Sequence, residues 1–253
     1  MASKAIAEKL IDERKFEKIA WGRWQSEDVE LIDTQLPTVL DIPASLLEKK
    51  PDCIIMLSSH RSKTPGRMLT AHVPGNWNEA GMGGEPKTLN IVAAARLKKI
   101  AIEMKKEAEK IGWPFCLEAD HHGPTIDVPI IFVEIGNGEE EWKDEKAAKA
   151  VASAVASSLG PTGYCEAAIG FGGGHYQKKF TELVANEKNS FTIGHMAPKY
   201  AIDSIDELMF KQAIEKNVEK VGKAVLVKDE TSAKHREKVK WLAKVFGIEY
   251  EEI

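Results

Sequence analysis

The sequence predicts an α/β fold of three layers, α/β/α, in which helices cover both faces of a mixed β-sheet. Two observations lead to this prediction. Short apolar runs of strand length alternate along the chain with longer segments of helical periodicity. Several of the apolar runs also end in one or two histidines, at the position where an open α/β sheet places its active site. With 253 residues, we expect one domain over residues 1–253.

Five segments have the apolar spacing of amphipathic helices. They are residues 3–14, 89–111, 144–159, 204–221 and 232–246. Asp144 is a suitable N-cap for the third of these helices, and Gly160 follows its end. Ser204 and Glu207 have the spacing of a capping box, which predicts the start of the fourth helix.

Apolar runs between the helices predict the strands. They are residues 54–57, 115–117, 128–135, 167–169, 191–193 and 224–227. Pro129 fits only the start of a strand or a sheet edge. An α/β domain usually opens with a strand, whereas this chain opens in a helical segment. Either an N-terminal strand is missing or the fold starts differently.

Composition limits the class of protein. A net charge of -4 argues against a general nucleic-acid binder, and we expect no DNA partner. No run of about 18 apolar residues predicts a membrane span, and the charged N-terminal segment has no apolar signal core. The three cysteines are far apart and form no CxxC pair. We therefore expect reduced core cysteines in a cytoplasmic protein.

The segment from Glu118 to Thr125 is the strongest candidate for a metal site. It contains two acids and two adjacent histidines directly after an apolar run. Carboxylate and imidazole together suit a zinc-type ion, which often keeps an open position for a catalytic water. In an extended chain, Glu118, Asp120 and His122 point to one side and His121 to the other. The alternative is a polar turn with solvated histidines.

Residues 172–176, Gly-Gly-Gly-His-Tyr, form a glycine-rich segment after another strand. Glycines let the backbone approach a ligand and expose amide groups to an anion. His175 is therefore a candidate ligand, base or oxyanion donor. A dinucleotide-binding fingerprint starting at Gly170 fails, because His175 stands where its third glycine belongs. A flexible turn is the other alternative.

The remaining histidines are less informative by themselves. His195 is equally compatible with a core histidine bonded to a carbonyl. His60 and His72 are balanced between loop and site. His235 lies among charged residues of the last helical segment, where we expect a surface position. Lys199 is either solvated or placed to meet a phosphate.

Together these motifs resemble the archaeal and plant type of D-aminoacyl-tRNA deacylase. The resemblance extends from about Ala5 to Ile248. Its motifs are Ser-His-Arg-Ser (59–62), His-Val-Pro-Gly-Asn (72–76), His-His-Gly-Pro-Thr (121–125), Phe-Val-Glu-Ile-Gly (132–136), Glu-Glu-Trp (140–142), Gly-Gly-Gly-His-Tyr (172–176), Gly-His (194–195) and Lys-Tyr (199–200). Motifs this numerous and ordered are rare in combination.

The resemblance implies a zinc-dependent hydrolase that cleaves the ester between a D-amino acid and tRNA. It also implies a phosphorylase/hydrolase-like α/β fold and a monomer whose partner is D-aminoacyl-tRNA. The predicted metal ligands are His60, His72, Asp120, His121, His122 and His195. The predicted catalytic residues are His175, Glu118, Gly173, Gly174 and Glu134. The predicted substrate-binding residues are Asn76, Tyr176, Lys178, Lys179, Lys199 and Tyr200.

Two features depart from the family pattern. Ser59 precedes His60 where the family usually has an arginine, and this leaves the role of Arg61 open. The family also begins with a strand that this chain lacks before Ala2, which would leave a sheet edge uncovered.

The mechanism predicted from these residues is attack on the ester carbonyl by a zinc-activated water, whose pKa falls toward ~7. Amides of Gly173 and Gly174, or His175, would stabilise the oxyanion. Glu118, Asp120 and Glu134 are each either ligand or general base. The cationic residues between 96 and 110 are expected to form a solvated helix face rather than an RNA surface.

Three other functions compete with this prediction. A zinc-dependent peptidase or amidohydrolase would have the same site and would act on peptides instead of charged tRNA. A non-catalytic RNA-binding protein would use the histidines for a closed structural zinc site. A phosphorylase-like nucleoside enzyme would depend on phosphate.

Overall fold

Eight α-helices occur in the computed structural model, which describes residues 2–35, 42, 44–62 and 66–253. The helices are α1 (Ala2–Arg14), α2 (Ala44–Leu47), α3 (Ala94–Ile111), α4 (Glu139–Trp142), α5 (Glu145–Ser158), α6 (Lys178–Val184), α7 (Glu207–Glu215) and α8 (Ala233–Phe246). Short 3₁₀ turns cover Lys199–Ser204 and Lys228–Glu230.

The strands alternate with these helices along most of the chain. They are β1 (Glu17–Ala20), β2 (Arg23–Ser26), β3 (Val29–Ile32), β4 (Ile54–Ser59), β5 (Met68–His72), β6 (Gly75–Asn76), β7 (Thr88–Leu89), β8 (Phe115–Leu117), β9 (Ile130–Gly136), β10 (Glu166–Phe171), β11 (Phe191–Ala197), β12 (Val221–Leu226) and β13 (Glu249–Glu252). The α/β class predicted from the sequence is confirmed.

Two four-stranded sheets form the centre of the molecule. The first sheet has the order β4-β9-β5-β8 and is mixed, because β5 runs antiparallel to β9. The second sheet has the order β11-β10-β12-β13 and is parallel throughout. The backbone just after β8 joins them: Ala119 N donates to His175 O at 2.8 Å and Asp120 N donates to Met196 O at 3.1 Å.

Helices cover both faces, as the three-layer prediction requires. Helices α1 and α5 contact each other and the first sheet, and α3 contacts α5 and α6. Helices α7 and α8 contact each other, and α8 packs on β12 and β13. The crossover β10-α6-β11 runs toward one edge of the second sheet, and the crossover β12-α8-β13 runs toward the other. Because parallel crossovers are right-handed, α6 and α8 lie on opposite faces of this sheet.

Most predicted helices begin and end close to their expected positions. Asp144 caps α5 by accepting hydrogen bonds from the amides of Lys146 and Ala147. Ser232 caps α8 in the same way, accepting from the amide of His235. The predicted capping box of α7 is wrong, because Ser204 belongs to the preceding 3₁₀ turn and Asp206 is the N-cap.

Three further observations bear on the sequence predictions. The antiparallel meander β1-β2-β3, which the sequence did not predict, follows α1. All three cysteines are free thiols, and Cys116 and Cys165 are buried. Within the described ranges, no helix combines the length and apolarity needed to cross a bilayer.

Candidate active site

The register of the first sheet places four predicted site residues on one of its faces. Glu134 of β9 pairs with Ser58 of β4 and with Thr70 of β5. Side chains directly opposite each other share a face, and so do residues two apart along a strand. His60, His72, Glu118 and Glu134 therefore project from the same side. The opposite side carries apolar residues such as Val133 and Ala71, which belong to the core under the helices.

Glu118 lies at the centre of a cluster of imidazoles. Its side chain is buried, with 1% of the residue exposed. Its Oε1 lies 3.2 Å from His60 Nδ1, and its Oε2 lies 3.5 Å from both His72 Nδ1 and His175 Nε2. The same oxygen lies 3.7 Å from His121 Nε2. One carboxylate therefore faces four histidines from separate segments of the chain.

His121 and His122 direct their Nε2 atoms into the cluster. His121 Nδ1 bonds to the carbonyl of Ala119 at 2.8 Å, and His122 Nδ1 bonds to the carbonyl of Gly123. Since a carbonyl only accepts, each Nδ1 carries the proton and each Nε2 keeps its lone pair. His122 Nε2 lies 3.0 Å from His72 Nε2. Backbone carbonyls fix metal-binding histidines in this same tautomer.

The cluster contains histidines of two electrostatic kinds. Burial, together with the neighbouring imidazoles, lowers the pKa of His72 and His121 well below the ordinary value, and burial also lowers that of His122. Burial opposes protonation of His60 as well, but its hydrogen bond to Glu134 and the charge of Glu118 outweigh burial and raise its pKa. Three imidazoles are thus neutral at neutral pH, while His60 retains a proton more readily.

The donor set fits a metal ion of the zinc type. Glu118 Oε1, Glu118 Oε2 and His72 Nδ1 are buried without a hydrogen-bond partner among the described residues. Three groups have ligand atoms within 4.8 Å of one another: His72 with His121 and His122, His60 with Glu118 and His175, and His72 with Glu118 and Glu134. Neutral imidazoles and a carboxylate are the forms that bind zinc. A bound cation would satisfy the unpartnered oxygens of Glu118.

Two predicted ligands, Asp120 and His195, lie outside these groups. His195 Nδ1 lies 2.8 Å from Asp120 Oδ2, and His195 Nε2 donates to the carbonyl of Lys216 at 3.0 Å. Asp120 Oδ1 accepts from the amide of Met196 at 3.1 Å. Both nitrogens of His195 are therefore engaged in hydrogen bonds, and its role as a metal ligand stays a prediction. The pair ties the segment after β8 to β11.

The predicted alternation of side chains after Glu118 is wrong. Glu118 and His121 face the same cluster, whereas Asp120 points toward His195. The chain is not extended here, because His122 has a positive φ of 51° and the segment turns. The turn brings both histidines over the face that carries Glu118.

The glycine-rich segment is fastened beside this cluster. Gln177, which is buried, donates through Nε2 to the carbonyls of Gly172 and Gly174 at 3.2 and 2.7 Å. The amide of Lys199 donates to Gly173 O at 3.0 Å. Gly173 has a φ of 68°, and a Cβ there would lie 2.8 Å from Gln177 Oε1, so the position requires glycine. The sequence analysis missed Gln177, although it directly follows the Gly-His-Tyr motif.

The predicted substrate-binding residues are divided in the structure. Tyr176 is at the site, and its hydroxyl lies 3.0 Å from His60 Nε2. Four others are exposed nearby on the glycine-rich side: Lys178, Lys179, Lys199 and Tyr200. Asn76 is buried and donates to the carbonyls of Gly83 and Glu85, so its amide group holds a loop.

Two residues outside the predicted set shape the surroundings. Trp142 donates from its indole nitrogen to the carbonyl of His60 at 3.0 Å. Asn90, fully buried, bonds to the carbonyls of Pro74 and Pro124 and to the amide of Ile126. Trp142 belongs to the Glu-Glu-Trp motif, so the sequence contained a signal that could have identified it as a site residue. Asn90 has no comparable signal in the sequence.

The fold and the site define an α/β protein with a buried histidine–glutamate cluster on a sheet face, a class of site that holds catalytic metal ions. The profile of the D-aminoacyl-tRNA deacylase family matches residues 47–251. The chain belongs to this family.

Named relatives agree with this membership, and a solved structure has a similar fold. A D-aminoacyl-tRNA deacylase of Thermococcus kodakarensis is 35% identical, over 99% of this chain and 95% of its own. That of Pyrococcus furiosus is 32% identical, over 98% and 95%. A crystal structure of a conserved protein of unknown function is 26% identical and superimposes with a TM-score of 0.88, covering 99% of this chain and 91% of its own.

Proposed function

We propose that this protein hydrolyses the ester bond of D-aminoacyl-tRNA and releases a free D-amino acid and tRNA. Family membership supports this activity, since the relatives carry the same name. The observation that carries the proposal is the buried Glu118, with both carboxylate oxygens unpartnered among four histidines, next to a glycine-rich loop. Such a site suits the attack of water on a carbonyl group.

The proposed cofactor is zinc, held by His72, His121 and His122 together with Glu118. The ligand atoms of the three histidines lie within 4.8 Å of one another, and burial keeps their imidazoles neutral. Glu118 Oε2 lies 3.5 Å from His72 Nδ1 and 3.7 Å from His121 Nε2. When bound there, zinc supplies a Lewis acid that lowers the pKa of water and makes hydroxide available at neutral pH.

The protein's own groups would position the ester and move protons. The amides of Gly173 and Gly174 lie in a loop fixed by Gln177, which suits them to bind the oxyanion. His175 is partly exposed and meets Glu118, so it faces the substrate side. His60 would give a proton to the leaving ribose oxygen, and its raised pKa, its contact with Glu134 and its bond to Tyr176 support this role.

The tRNA would approach over the exposed cations beside the glycine-rich loop. Lys178 and Lys179 begin α6, and Lys199 is tied through its amide to Gly173. Lysine side chains at such positions neutralise phosphates without reading the base sequence. We further propose that the enzyme acts in the cytoplasm, where charged tRNA is found, and that it acts as a monomer.

The decisive experiment is a deacylation assay on D- and L-aminoacyl-tRNA, with and without a chelator. We expect release from the D form alone, abolished by chelation and restored by zinc. Activity on peptides but not on charged tRNA would replace the proposal with the peptidase alternative. Deacylation that persists in chelator would reject zinc while leaving the ester hydrolysis intact.

A further inference from the structure

We propose that a pocket next to the histidine–glutamate cluster binds the 3′-terminal nucleotide of the tRNA, with the guanidinium of Arg61 on its phosphate. This inference rests on the proposed ester hydrolysis and assigns the part of the substrate that lies beyond the ester bond. The pocket has a volume of about 490 Å³. Its walls are Arg61, Ser62, Asn137, Gly138, Glu139 and Trp142.

The position of the pocket follows from the parallel pair β4 and β9. Both strands end at the same edge, with Ser59 beside Ile135. Arg61 and Ser62 continue from β4, and Asn137 and Gly138 continue from β9. His60, the residue before Arg61, connects the pocket to the histidine–glutamate cluster. Its side chain faces Glu118 and Glu134 in the cluster, and its carbonyl accepts a hydrogen bond from the indole of Trp142 in the pocket wall. A nucleotide seated here would place its ribose next to His60.

Arg61 has the environment of an anion-binding arginine. Its guanidinium carbon lies 5.0 Å from the centre of the Trp142 ring, and the residue is exposed. No carboxylate pairs with Arg61 in the described ranges. The only acid lining the pocket, Glu139, lies 3.8 Å from Lys143. A guanidinium stacked on an aromatic ring keeps the N–H groups along its edge free to bind an anion. The planar arrangement of these N–H groups fits two oxygens of a phosphate.

The size and openness of the pocket favour a nucleotide. Its volume falls within the range of small-molecule sites, roughly 300–1,000 Å³. An aromatic ring, a stacked guanidinium and backbone groups of a glycine-containing turn are the features that hold a terminal nucleotide. The exposed lysines beside the glycine-rich loop do not line this pocket and remain available for the rest of the acceptor end.

The test compares two substrates that share the ester and the terminal adenosine and differ in the rest of the tRNA, beginning with the phosphate of the terminal nucleotide. D-Aminoacyl-tRNA carries the terminal phosphate, whereas the D-aminoacyl ester of adenosine lacks it. We expect Arg61→Ala to lower kcat/KM for the tRNA by roughly tenfold or more, the effect of losing one charged hydrogen bond, and to leave the adenosine ester unchanged. Arg61→Lys should restore part of the loss. Lys240→Ala, on the exposed face of α8, is the matched control and should behave as wild type.

Inhibition by the free nucleotide and the free nucleoside gives a second measurement. AMP should inhibit the wild type more strongly than adenosine, and Arg61→Ala should remove this difference. An equal loss on both substrates would show that Arg61 acts by placing His60, and would overturn the proposal. So would an unchanged kcat/KM on tRNA. A wild type that cleaves neither ester would instead reject the proposed function, which keeps the two failures distinct.

Discussion

At the scale of single residues, Glu118 is the carboxylate of the proposed zinc site. We expect Glu118→Gln to reduce zinc affinity by roughly 10–100-fold, the range seen even for partners that only orient ligands. The metal-free variant should be at least as stable as metal-free wild type, because a buried carboxylate without a hydrogen-bond partner is replaced by a neutral amide. Zinc content by mass spectrometry and urea unfolding measure the two effects.

The matched control for Glu118→Gln is Glu8→Gln, an exposed change on α1. It should alter neither zinc content nor stability. If Glu118→Gln kept full zinc affinity, Glu118 would be a general base rather than part of the metal site.

His195 provides a second prediction at the residue scale. His195→Ala leaves the buried carboxylate of Asp120 without its partner, and we expect a loss of ~3–5 kcal/mol in the free energy of unfolding. The zinc content of the folded variant should match wild type. Combining it with Asp120→Asn should cost less than the sum of the single changes. Zinc loss in the stable fraction of His195→Ala would instead support the ligand role that the sequence predicted.

The thiol of Cys53 gives a prediction that depends on pH. Burial raises its pKa to about 12. At pH 8 it should carry roughly a thousandfold less thiolate than an ordinary cysteine, since each pKa unit is a factor of ten. Its contribution to stability is present below the ordinary thiol pKa and is lost as pH rises toward about 12. Iodoacetamide at pH 8 should therefore label Cys53 in urea-unfolded protein and not in native protein; equal rates would contradict this.

At the scale of elements, the cations of α3 stabilise the end of α5. Arg96 donates to the carbonyls of Ser158 and Gly160, and Lys99 to that of Leu159. We expect Arg96→Ala to lower the free energy of unfolding by about 1–3 kcal/mol, because these carbonyls lose a charged donor. The KM for tRNA should not change. Urea unfolding and the deacylation assay check both parts.

Lys105→Ala is the control on the same helix, because no hydrogen bond or ion pair of Lys105 occurs in the described ranges. It should leave stability and activity unchanged. A rise in KM on Arg96→Ala would mean that α3 is an RNA surface after all.

The sequence predicted the elements whose position is set by neighbouring residues along the chain. The apolar stripe of Leu97, Ile100 and Met104 predicted α3, and Asp144 predicted the start of α5; the structure buries the stripe and shows the cap. The meander was missed because its strands have four residues each and β1 is exposed throughout. Short, exposed strands carry no alternating apolar signal.

The site was predictable in composition but not in arrangement. The histidine motifs predicted His60, His72, His121 and His175 as site residues, and all four lie near the carboxylate of Glu118. The sequence did not predict where the side chain of His195 points, because its orientation depends on the irregular register between β10 and β11 and on the contact with Asp120. The antiparallel pairing of β5 with β9 also depends on long-range contacts and could not be predicted from the sequence. This pairing brings His72 and Glu134 to the same face of the sheet.

At the scale of the whole molecule, metal binding should couple to folding. The cluster collects residues from five separate segments of the chain, so an unfolded chain offers no comparable site. Zinc at 100 times its dissociation constant should add ~2.7 kcal/mol to the free energy of unfolding. Chelator should lower the Tm of wild type, and it should lower the Tm of Glu118→Gln by less. A Tm that does not respond to chelator in wild type would contradict this coupling.

The two sheets also follow each other in the order of synthesis. Every strand of the first sheet lies between residues 54 and 136, and every strand of the second between residues 166 and 252. The ribosome therefore completes one set of strands before the other begins, with the exposed segment 161–164 between them. His175 is synthesised with the strands of the second sheet, after the other histidines of the cluster. A polypeptide nicked in that segment would act as a two-piece complementation system, in which hydrolysis reports that the halves have reunited.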